Sequence, residues 1–169
     1  MPKDRETELF YRVDEKDKVL GFIARKEAHR NKEFIHRSVY IVIRNTQDQI
    51  LFQKRSSYKD TYPNHLALGV AGHVTYGQTY EEAAVREVEE ELGEKAKVRF
   101  ILGILLDMPT ETEFCQVFES ERLNKLKFDF DPDEVQGTAW INPNEIRKLV
   151  LKNRITPDTL MILKALNYI

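Results

Sequence analysis

Three glutamates near the middle of the chain have the spacing that places carboxylates on one side of a helix. Glu87, Glu90 and Glu91 are three and four residues apart, and at 3.6 residues per turn they fall within an arc of about 100°. Carboxylate oxygens are the ligands that hard divalent cations prefer. The spacing therefore predicts a site for Mg²⁺ or Mn²⁺, with a solvated acidic helix face as the alternative.

The residues around these glutamates predict a short helix with defined ends. Thr79 and Glu82 have the spacing of a capping box, and Gly93 is suited to end the helix. An exposed acidic helix has no need of the glycines in the preceding loop, Gly72 and Gly77, so the loop favours the metal site. A core-facing stripe is predicted from apolar residues at every fourth position, Ala84, Val88 and Leu92.

The stretch from residue 72 to residue 94 resembles the Nudix box, Gly-x5-Glu-x7-Arg-Glu-hydrophobic-x-Glu-Glu-x-Gly-hydrophobic. Two positions depart from it: Gln78 stands where the first glutamate belongs, and Glu94 where the final apolar residue belongs. The resemblance implies a Nudix-type α/β/α sandwich with a mixed β-sheet. It also implies an enzyme that cleaves nucleoside diphosphates linked to another group, NDP-X. The matching positions are Gly72, Arg86, Glu87, Val88, Glu90, Glu91 and Gly93.

The rest of the chain predicts the elements of one α/β domain over residues 1–169, with strands on both sides of the central helix and two C-terminal helices. A β-hairpin is predicted over residues 8–25, followed by a short helix from Lys26 to Arg30. HRSVYIVIR and ILFQKR are predicted to form a second hairpin. KVRFILGILLDM is a continuous apolar run, which predicts a buried strand that bends at Gly103.

Composition excludes several classes of partner. The net charge of −2 provides no basic field for nucleic acid, and no run of about 20 apolar residues predicts a membrane span. One cysteine, Cys115, permits no internal disulfide. With no signal-peptide pattern in MPKDRETELF, we expect a cytoplasmic protein that acts on a small-molecule diphosphate. The N-terminal hairpin offers a surface for a homodimer.

Beyond the box, the segment from about Val13 to Trp140 looks like type I isopentenyl-diphosphate isomerase and related bacterial Nudix hydrolases. This resemblance implies that Arg55 and Lys59 hold the substrate diphosphate and that Trp140 lines the pocket. From the residues alone, Glu111 and Glu113 share one face of a strand, which also fits a solvated edge. The resemblance further implies a second metal site, with the ligands His29, His36, His73, Glu111 and Glu113.

Ala71 argues against isomerase activity. Allylic isomerisation requires a proton delivered to one face of the alkene and another removed from the opposite face. The isomerase has a cysteine immediately before its glycine-histidine pair, where this chain has Ala71. Cys115 is predicted to be a small buried residue instead. The predicted function is therefore metal-dependent hydrolysis, and the alternatives are an isopentenyl-diphosphate isomerase and a non-catalytic nucleotide- or protein-binding Nudix module.

The catalytic roles predicted for this hydrolysis fall on carboxylates. A metal held by Glu87, Glu90 and Glu91 would polarise phosphorus and lower the pKa of a bound water. Arg86 is predicted to orient these glutamates, and Gln78 to reduce metal affinity or activity without abolishing either. Glu87, Glu91 and Glu113 are the predicted catalytic residues. The general base is left open among Glu87, Glu91, Glu113 and Glu134.

Overall fold

A mixed sheet and a smaller antiparallel sheet form the framework of the computed structural model, which describes residues 7–123 and 126–169. The strands are β1 (Leu9–Val13), β2 (Val19–Ala24), β3 (Ile35–Val42), β4 (Ile50–Arg55), β5 (Leu66–Leu68), β6 (Val70–His73), β7 (Val98–Asp107), β8 (Thr112–Ser120) and β9 (Val135–Ile141). The helices are α1 (Arg25–Ala28), α2 (Tyr80–Leu92), a 3-10 turn (Pro143–Glu145), α3 (Ile146–Lys152) and α4 (Pro157–Ala165).

The six-stranded sheet has the order β2-β1-β3-β8-β7, and β6 also pairs with β3. Its β3 and β8 are parallel, whereas its other pairs are antiparallel. The three-stranded sheet has the order β5-β4-β9 and is antiparallel throughout. A cleft opens where the two sheets meet, beside β6 and α2.

Alternation along β3 separates two hydrophobic layers. Val39 and Ile41 face the buried stripe of α2, where Ala84 and Val88 are fully buried. Tyr40 and Val42 face the opposite layer, which contains residues of α3 and α4. Helices therefore cover both faces of the mixed sheet, and the predicted α/β/α fold class is confirmed.

Helix α2 begins and ends as its sequence predicts. Glu82 donates its backbone N–H to Thr79 Oγ1 at 3.1 Å, and Thr79 donates its own to Glu82 Oε2 at 2.8 Å, so both halves of the capping box form. Gly93 ends the helix with a φ of +68°, a left-handed conformation that costs glycine little. These ends set the rotation of the helix, and therefore the direction in which its glutamates point.

The second predicted hairpin is wrong, because β4 leaves the sheet that contains β3. The two strands share a bridge between Arg44 and Ile50, after which β4 pairs with β5 and β9 in the smaller sheet. Ile50, Leu51 and Phe52 are all fully buried, so this strand needs apolar cover on both faces. A two-stranded hairpin with one solvent-exposed face could not cover both faces of this strand.

The apolar run of β7 is not a buried strand as predicted. β7 lies at one edge of the six-stranded sheet, and Phe100 is 52% exposed. The irregular pairing with β8 falls between Phe100 and Leu102 and not at Gly103. An edge strand has a neighbour on one side only, so composition alone overstated the burial of this run.

The hairpin of β1 and β2 occupies the predicted residues, and its outer strand exposes Val19, Leu20 and Phe22. The homodimer expected through this hairpin stays a prediction. Among the described residues, no helix has the length and apolar character that crossing a membrane requires.

Candidate active site

A cleft of about 1200 Å³ lies between the two sheets. Its walls come from β3 and β6 of the larger sheet, β4 and β5 of the smaller one, helix α2, and the loop before β9. Acidic, basic and hydroxyl side chains from these elements line one continuous space. The predicted metal ligands of both kinds, glutamates of α2 and a histidine of β6, therefore share a single cleft.

Glu87, Glu90 and Glu91 all line this cleft. Burial raises the pKa of Glu87 to about 7, against the opposing effect of the Arg86 guanidinium. Burial also raises the pKa of Glu91 to about 8, although Gln53 Nε2 donates to Glu91 Oε2 at 2.8 Å. Burial therefore disfavours the charged forms of both carboxylates unless a cation lies beside them.

Arg86 is the basic residue among these carboxylates. Its Nη1 lies 2.8 Å from Glu87 Oε1 and 3.4 Å from Glu90 Oε2, and its Nη2 donates to the His73 carbonyl oxygen at 2.9 Å. The guanidinium therefore fastens α2 to β6 and holds two of the three carboxylates. The orienting role of Arg86 stays a prediction.

Gly72 allows β6 to pass directly against Glu87. A Cβ atom at residue 72 would lie 2.0 Å from Glu87 Cδ, far inside any van der Waals contact. The first glycine of the box-like stretch is therefore explained by close approach: the space of a side chain is filled by the carboxylate of α2.

Buried polar atoms without a hydrogen-bond partner among the described residues occur at both departures from the box pattern and at Arg86. Gln78 Oε1 and Arg86 Nε, which belong to two residues that line the cleft, have no hydrogen-bond partner among the described residues. Glu94 Oε2, at the position of the missing apolar residue, is also buried without a partner in the described part of the chain. Each unpaired atom costs about 1–3 kcal/mol of desolvation unless water or a ligand satisfies it.

The histidines and glutamates predicted from the resemblance also meet. His29, His36, His73 and Glu111 offer ligand atoms that all lie within 4.8 Å of one another. Glu113 Oε1 lies 3.5 Å from Nε2 of both His36 and His73. The pairing of β3 with β8 places His36 opposite Glu113, the pairing of β3 with β6 brings His73 alongside, and His29 follows α1.

Burial in this cluster favours the neutral forms of His29 and His73. Phe10 stacks on His36 and His73 with ring centroids 5.3 and 4.7 Å away. Burial lowers the pKa of His29 to about 4 and lowers that of His73 as well. Burial opposes ionisation of Glu113, but the two neighbouring imidazoles still hold its pKa well below the usual range. Neutral imidazole beside carboxylate is the form that binds a divalent metal.

The predicted phosphate-binding residues line the cleft, but they also have protein partners. Arg55 Nη2 donates to the Thr61 carbonyl oxygen at 2.8 Å and thereby supports the loop after β4, while its Nη1 makes no hydrogen bond to the described residues. Lys59 Nζ lies 3.4 Å from Glu134 Oε1. Trp140 does not line the cleft. It pairs with Leu51 across β4 and β9 and packs against the core beneath α2.

Sequence reasoning missed three residues of the cleft. Gln53 holds Glu91, and Tyr40 donates a short hydrogen bond to Asp158 Oδ2. The sequence Thr156-Pro157-Asp158 predicts only that Asp158 lies at the start of the last helix. No local pattern marks these residues, because strand alternation gives Gln53 and Tyr40 a face but does not say that the face borders a cleft.

The fold and the site together define a class of protein, an α/β/α sandwich with a cleft lined by carboxylates and histidines. Residues 34–161 match the family model of the NUDIX domain, and the chain therefore belongs to the Nudix family. The prediction of a Nudix hydrolase, a class of enzyme that acts on phosphorus-containing anhydrides, is confirmed at this level.

Relatives span most of the chain. An uncharacterized Nudix hydrolase of Yersinia pestis is 32% identical over 157 residues, 89% of this chain and 81% of the relative. A Nudix hydrolase of Deinococcus radiodurans is 33% identical over 141 residues, covering 79% of this chain and 78% of the relative. An isopentenyl-diphosphate Delta-isomerase of Nocardia farcinica is 29% identical over 140 residues, 80% of this chain and 79% of the relative.

Solved structures agree on the fold. A crystal structure of a Deinococcus radiodurans protein covers 94% of this chain and 98% of its own, with a TM-score of 0.77 and 28% identity. The MutT protein of Methanosarcina mazei Go1 covers 77% of this chain and 93% of its own, with a TM-score of 0.60 and 21% identity. At that identity the second likeness concerns the fold alone.

Proposed function

We propose that the chain is a divalent-metal-dependent hydrolase that cleaves the diphosphate linkage of a nucleoside diphosphate or an NDP-X substrate. The observation that supports this most is the wall of Glu87, Glu90 and Glu91 in a cleft that also contains Arg55 and Lys59. Carboxylates on one side and cations on the other suit a substrate whose phosphate oxygens need both metal and protein partners.

The carboxylate wall fits Mg²⁺ or Mn²⁺. Its ligands are oxygens, which hard cations prefer, and two of the three carboxylates are buried deeply enough that their pKa values rise. A neighbouring cation would offset the cost of that burial. When bound, the ion supplies charge neutralisation at the diphosphate, polarisation of phosphorus and a lowered pKa for a bound water.

The remaining steps fall to side chains of the cleft. Arg55 Nη1 and Lys59 Nζ would bind phosphate oxygens through charged hydrogen bonds. Arg86 and Gln53 would keep the metal-binding carboxylates oriented. The proton of the attacking water passes to a cleft carboxylate, for which Glu87, Glu91, Glu113 and Glu134 are the candidates.

Release of inorganic phosphate, or of phosphate monoesters from NDP-X substrates, tests this proposal across a panel of diphosphates, with the products separated by chromatography. The panel comprises CDP, UDP, ADP-ribose, sugar nucleotides, coenzyme A and isopentenyl diphosphate, each with Mg²⁺ or Mn²⁺ and again with a chelator. We expect metal-dependent release from at least one nucleotide and none with the chelator. If no substrate of the panel were cleaved but a nucleotide bound tightly, hydrolysis would be contradicted and the non-catalytic Nudix module would be supported.

We also propose that His29, His36, His73, Glu111 and Glu113 hold a second divalent ion. The short distances between their ligand atoms, the stacking of Phe10 and the lowered pKa values of His29 and His73 support it. The site is separate from the glutamates of α2 in ligand type, since it combines nitrogen with oxygen. Such a mixed set suits Mn²⁺ or Zn²⁺ better than Mg²⁺.

Replacing His36 by alanine should lower the metal content from about two ions per chain to about one, because it removes a central ligand. Calorimetric titration with Mn²⁺ would measure both sites. His65→Ala is the matched control, since His65 bonds to the Pro63 carbonyl oxygen in a loop outside the cluster. Equal stoichiometry in the wild type and the His36 variant would contradict the second site.

An isomerase remains the second candidate, favoured by the histidine cluster and the Nocardia farcinica relative. The cleft argues against it at two points. Ala71 lines the cleft without any proton to transfer. Cys115 is fully buried in the core, does not line the cleft, and has a pKa raised far above its usual value by that burial. Isomerised product from isopentenyl diphosphate in the panel would reverse this preference.

A further inference from the structure

The inner wall of the cleft carries a group of polar side chains that the proposed hydrolysis does not use. They come from β3 and from the start of α4, two elements far apart in the chain. Tyr40 is only 4% exposed, and its hydroxyl donates a short hydrogen bond to Asp158 Oδ2. The cleft-lining members of this group are Ser38, Tyr40, Thr156 and Asp158.

Asp158 is held firmly in this position. Its Oδ1 accepts from the Thr159 backbone N–H at 2.9 Å. Thr159 Oγ1 in turn accepts from the Leu68 N–H at 3.0 Å and from the Thr156 hydroxyl at 2.9 Å. These bonds fix the start of α4 on β5, so the carboxylate faces the cleft from a rigid support.

The carboxylate keeps unused capacity to accept hydrogen bonds. An ionised carboxylate has about four lone-pair sites and no donor. Tyr40 and the Thr159 N–H occupy two of those sites in Asp158. Asp158 lines the cleft, so water or a ligand there can occupy the remaining sites.

Ser38 independently indicates a ligand at this wall. It is 3% exposed and lines the cleft, yet its hydroxyl oxygen has no hydrogen-bond partner among the described residues. The Cys115 thiol, a weak partner, lies beside it. Leaving a buried hydroxyl unpaired is costly, so a group that enters the cleft here would gain by bonding to it.

We infer that Asp158 and Ser38 form a subsite for the organic group of the substrate. Tyr40 orients the Asp158 carboxylate by a hydrogen bond, and that carboxylate accepts a hydrogen bond from the organic group. The matching chemistry is a hydroxyl or amino group, such as a ribose or a nucleobase carries. The inference rests on the function proposed above and narrows its substrate class: diphosphates whose organic group bears donors are selected over alkyl diphosphates.

The selection has a physical cause. A hydrocarbon chain against this wall would displace water from the Asp158 carboxylate and offer no bond in return. A site built to bond a donor rejects the analogue that lacks it for this reason. Ala71, which is paired with Tyr40 across β3 and β6, is too small to cover the carboxylate.

Calorimetric binding of two non-hydrolysable ligands tests the subsite with Mg²⁺ present. One is a nucleoside methylenediphosphonate and the other is isopentyl methylenediphosphonate. We expect the wild type to favour the nucleoside ligand by roughly tenfold or more, and Asp158→Asn to bring the ratio to about two. The ratio is the proper readout, because removing a negative charge strengthens the binding of both anionic ligands alike.

Two further variants sharpen the result. Tyr40→Phe should reduce the ratio in part, since the carboxylate loses the donor that orients it. Glu81→Gln removes an exposed carboxylate outside the cleft and should leave the ratio unchanged. A wild type without preference, or an Asp158 variant that changes both affinities equally, would overturn the subsite alone. Failure to bind either ligand would overturn the proposed diphosphate chemistry, and the subsite with it.

Discussion

Glu91→Gln is expected to lower kcat/KM for diphosphate hydrolysis by about 10³-fold while leaving the fold intact. The substitution keeps the shape of the side chain and an oxygen for Gln53 Nε2, which lies 2.8 Å from Glu91 Oε2. It removes the charge that would hold the metal. Steady-state phosphate release from the best nucleotide of the panel measures the effect.

The Tm of the metal-free Glu91→Gln variant distinguishes the loss of a metal-binding carboxylate from a damaged fold. Burial raises the pKa of Glu91 to about 8, so near neutral pH folding disfavours the charged carboxylate in the metal-free protein. A raised acid pKa adds stability at low pH, and that stability is lost as the pH rises through the folded-state value. Glutamine has no such penalty, and the metal-free Tm should therefore not fall at pH 8.

Glu89→Gln is the matched control for this experiment. Glu89 lies on the same helix two residues earlier and is exposed, and among the described residues its side chain forms an ion pair with Lys95 alone, at 4.0 Å. Its replacement should change kcat/KM by less than about twofold, as is usual for exposed ion pairs. If Glu91→Gln kept more than about a tenth of wild-type activity, its proposed place in the metal site would be wrong.

Gly72→Ala is expected to reduce activity by about 10²-fold or more through a residue that contacts no substrate. The added Cβ would lie 2.0 Å from Glu87 Cδ, and either β6 or the carboxylate must move. Displacing Glu87 also disturbs Arg86, whose Nη1 lies 2.8 Å from Glu87 Oε1. Phosphate release and Mg²⁺ affinity should therefore fall together.

Gly137→Ala separates this close approach from a general effect of replacing glycine. Gly137 lies in β9, where an added Cβ meets nothing within 4 Å. We expect near wild-type activity and metal affinity for that control. Circular dichroism should show that both variants are folded. A Gly72→Ala protein with unchanged Mg²⁺ affinity would contradict the explanation given for this glycine.

Local sequence was enough to determine α2 and the direction of its side chains. Thr79 and Glu82 cap one end of the helix and Gly93 ends the other, each through bonds that span no more than four residues, so both ends depend on local chemistry. The helical period then sets which residues are buried and which glutamates share a face. The family followed from the resemblance of this stretch to the Nudix box, and that resemblance implied the fold class.

Other contacts depended on tertiary structure. Whether β4 pairs with β3 was decided by the need to bury Ile50, Leu51 and Phe52 on both faces, a property of the assembled sheets. Trp140 is packed against the core since its partner across the sheet is Leu51. No spacing in the sequence distinguishes that position from one that lines the cleft.

The inner wall of the cleft shows most clearly what the sequence by itself could not determine. The pattern Thr156-Pro157-Asp158 predicts the start of a helix, and α4 does begin there. The Asp158 carboxylate contacts Tyr40, which lies 118 residues earlier in the chain. This contact depends on how α4 packs on β5. Helix caps and periodic stripes are local and can be read from sequence. A cleft is formed by residues distant in the chain, and its chemistry is decided when the two sheets and α4 pack together.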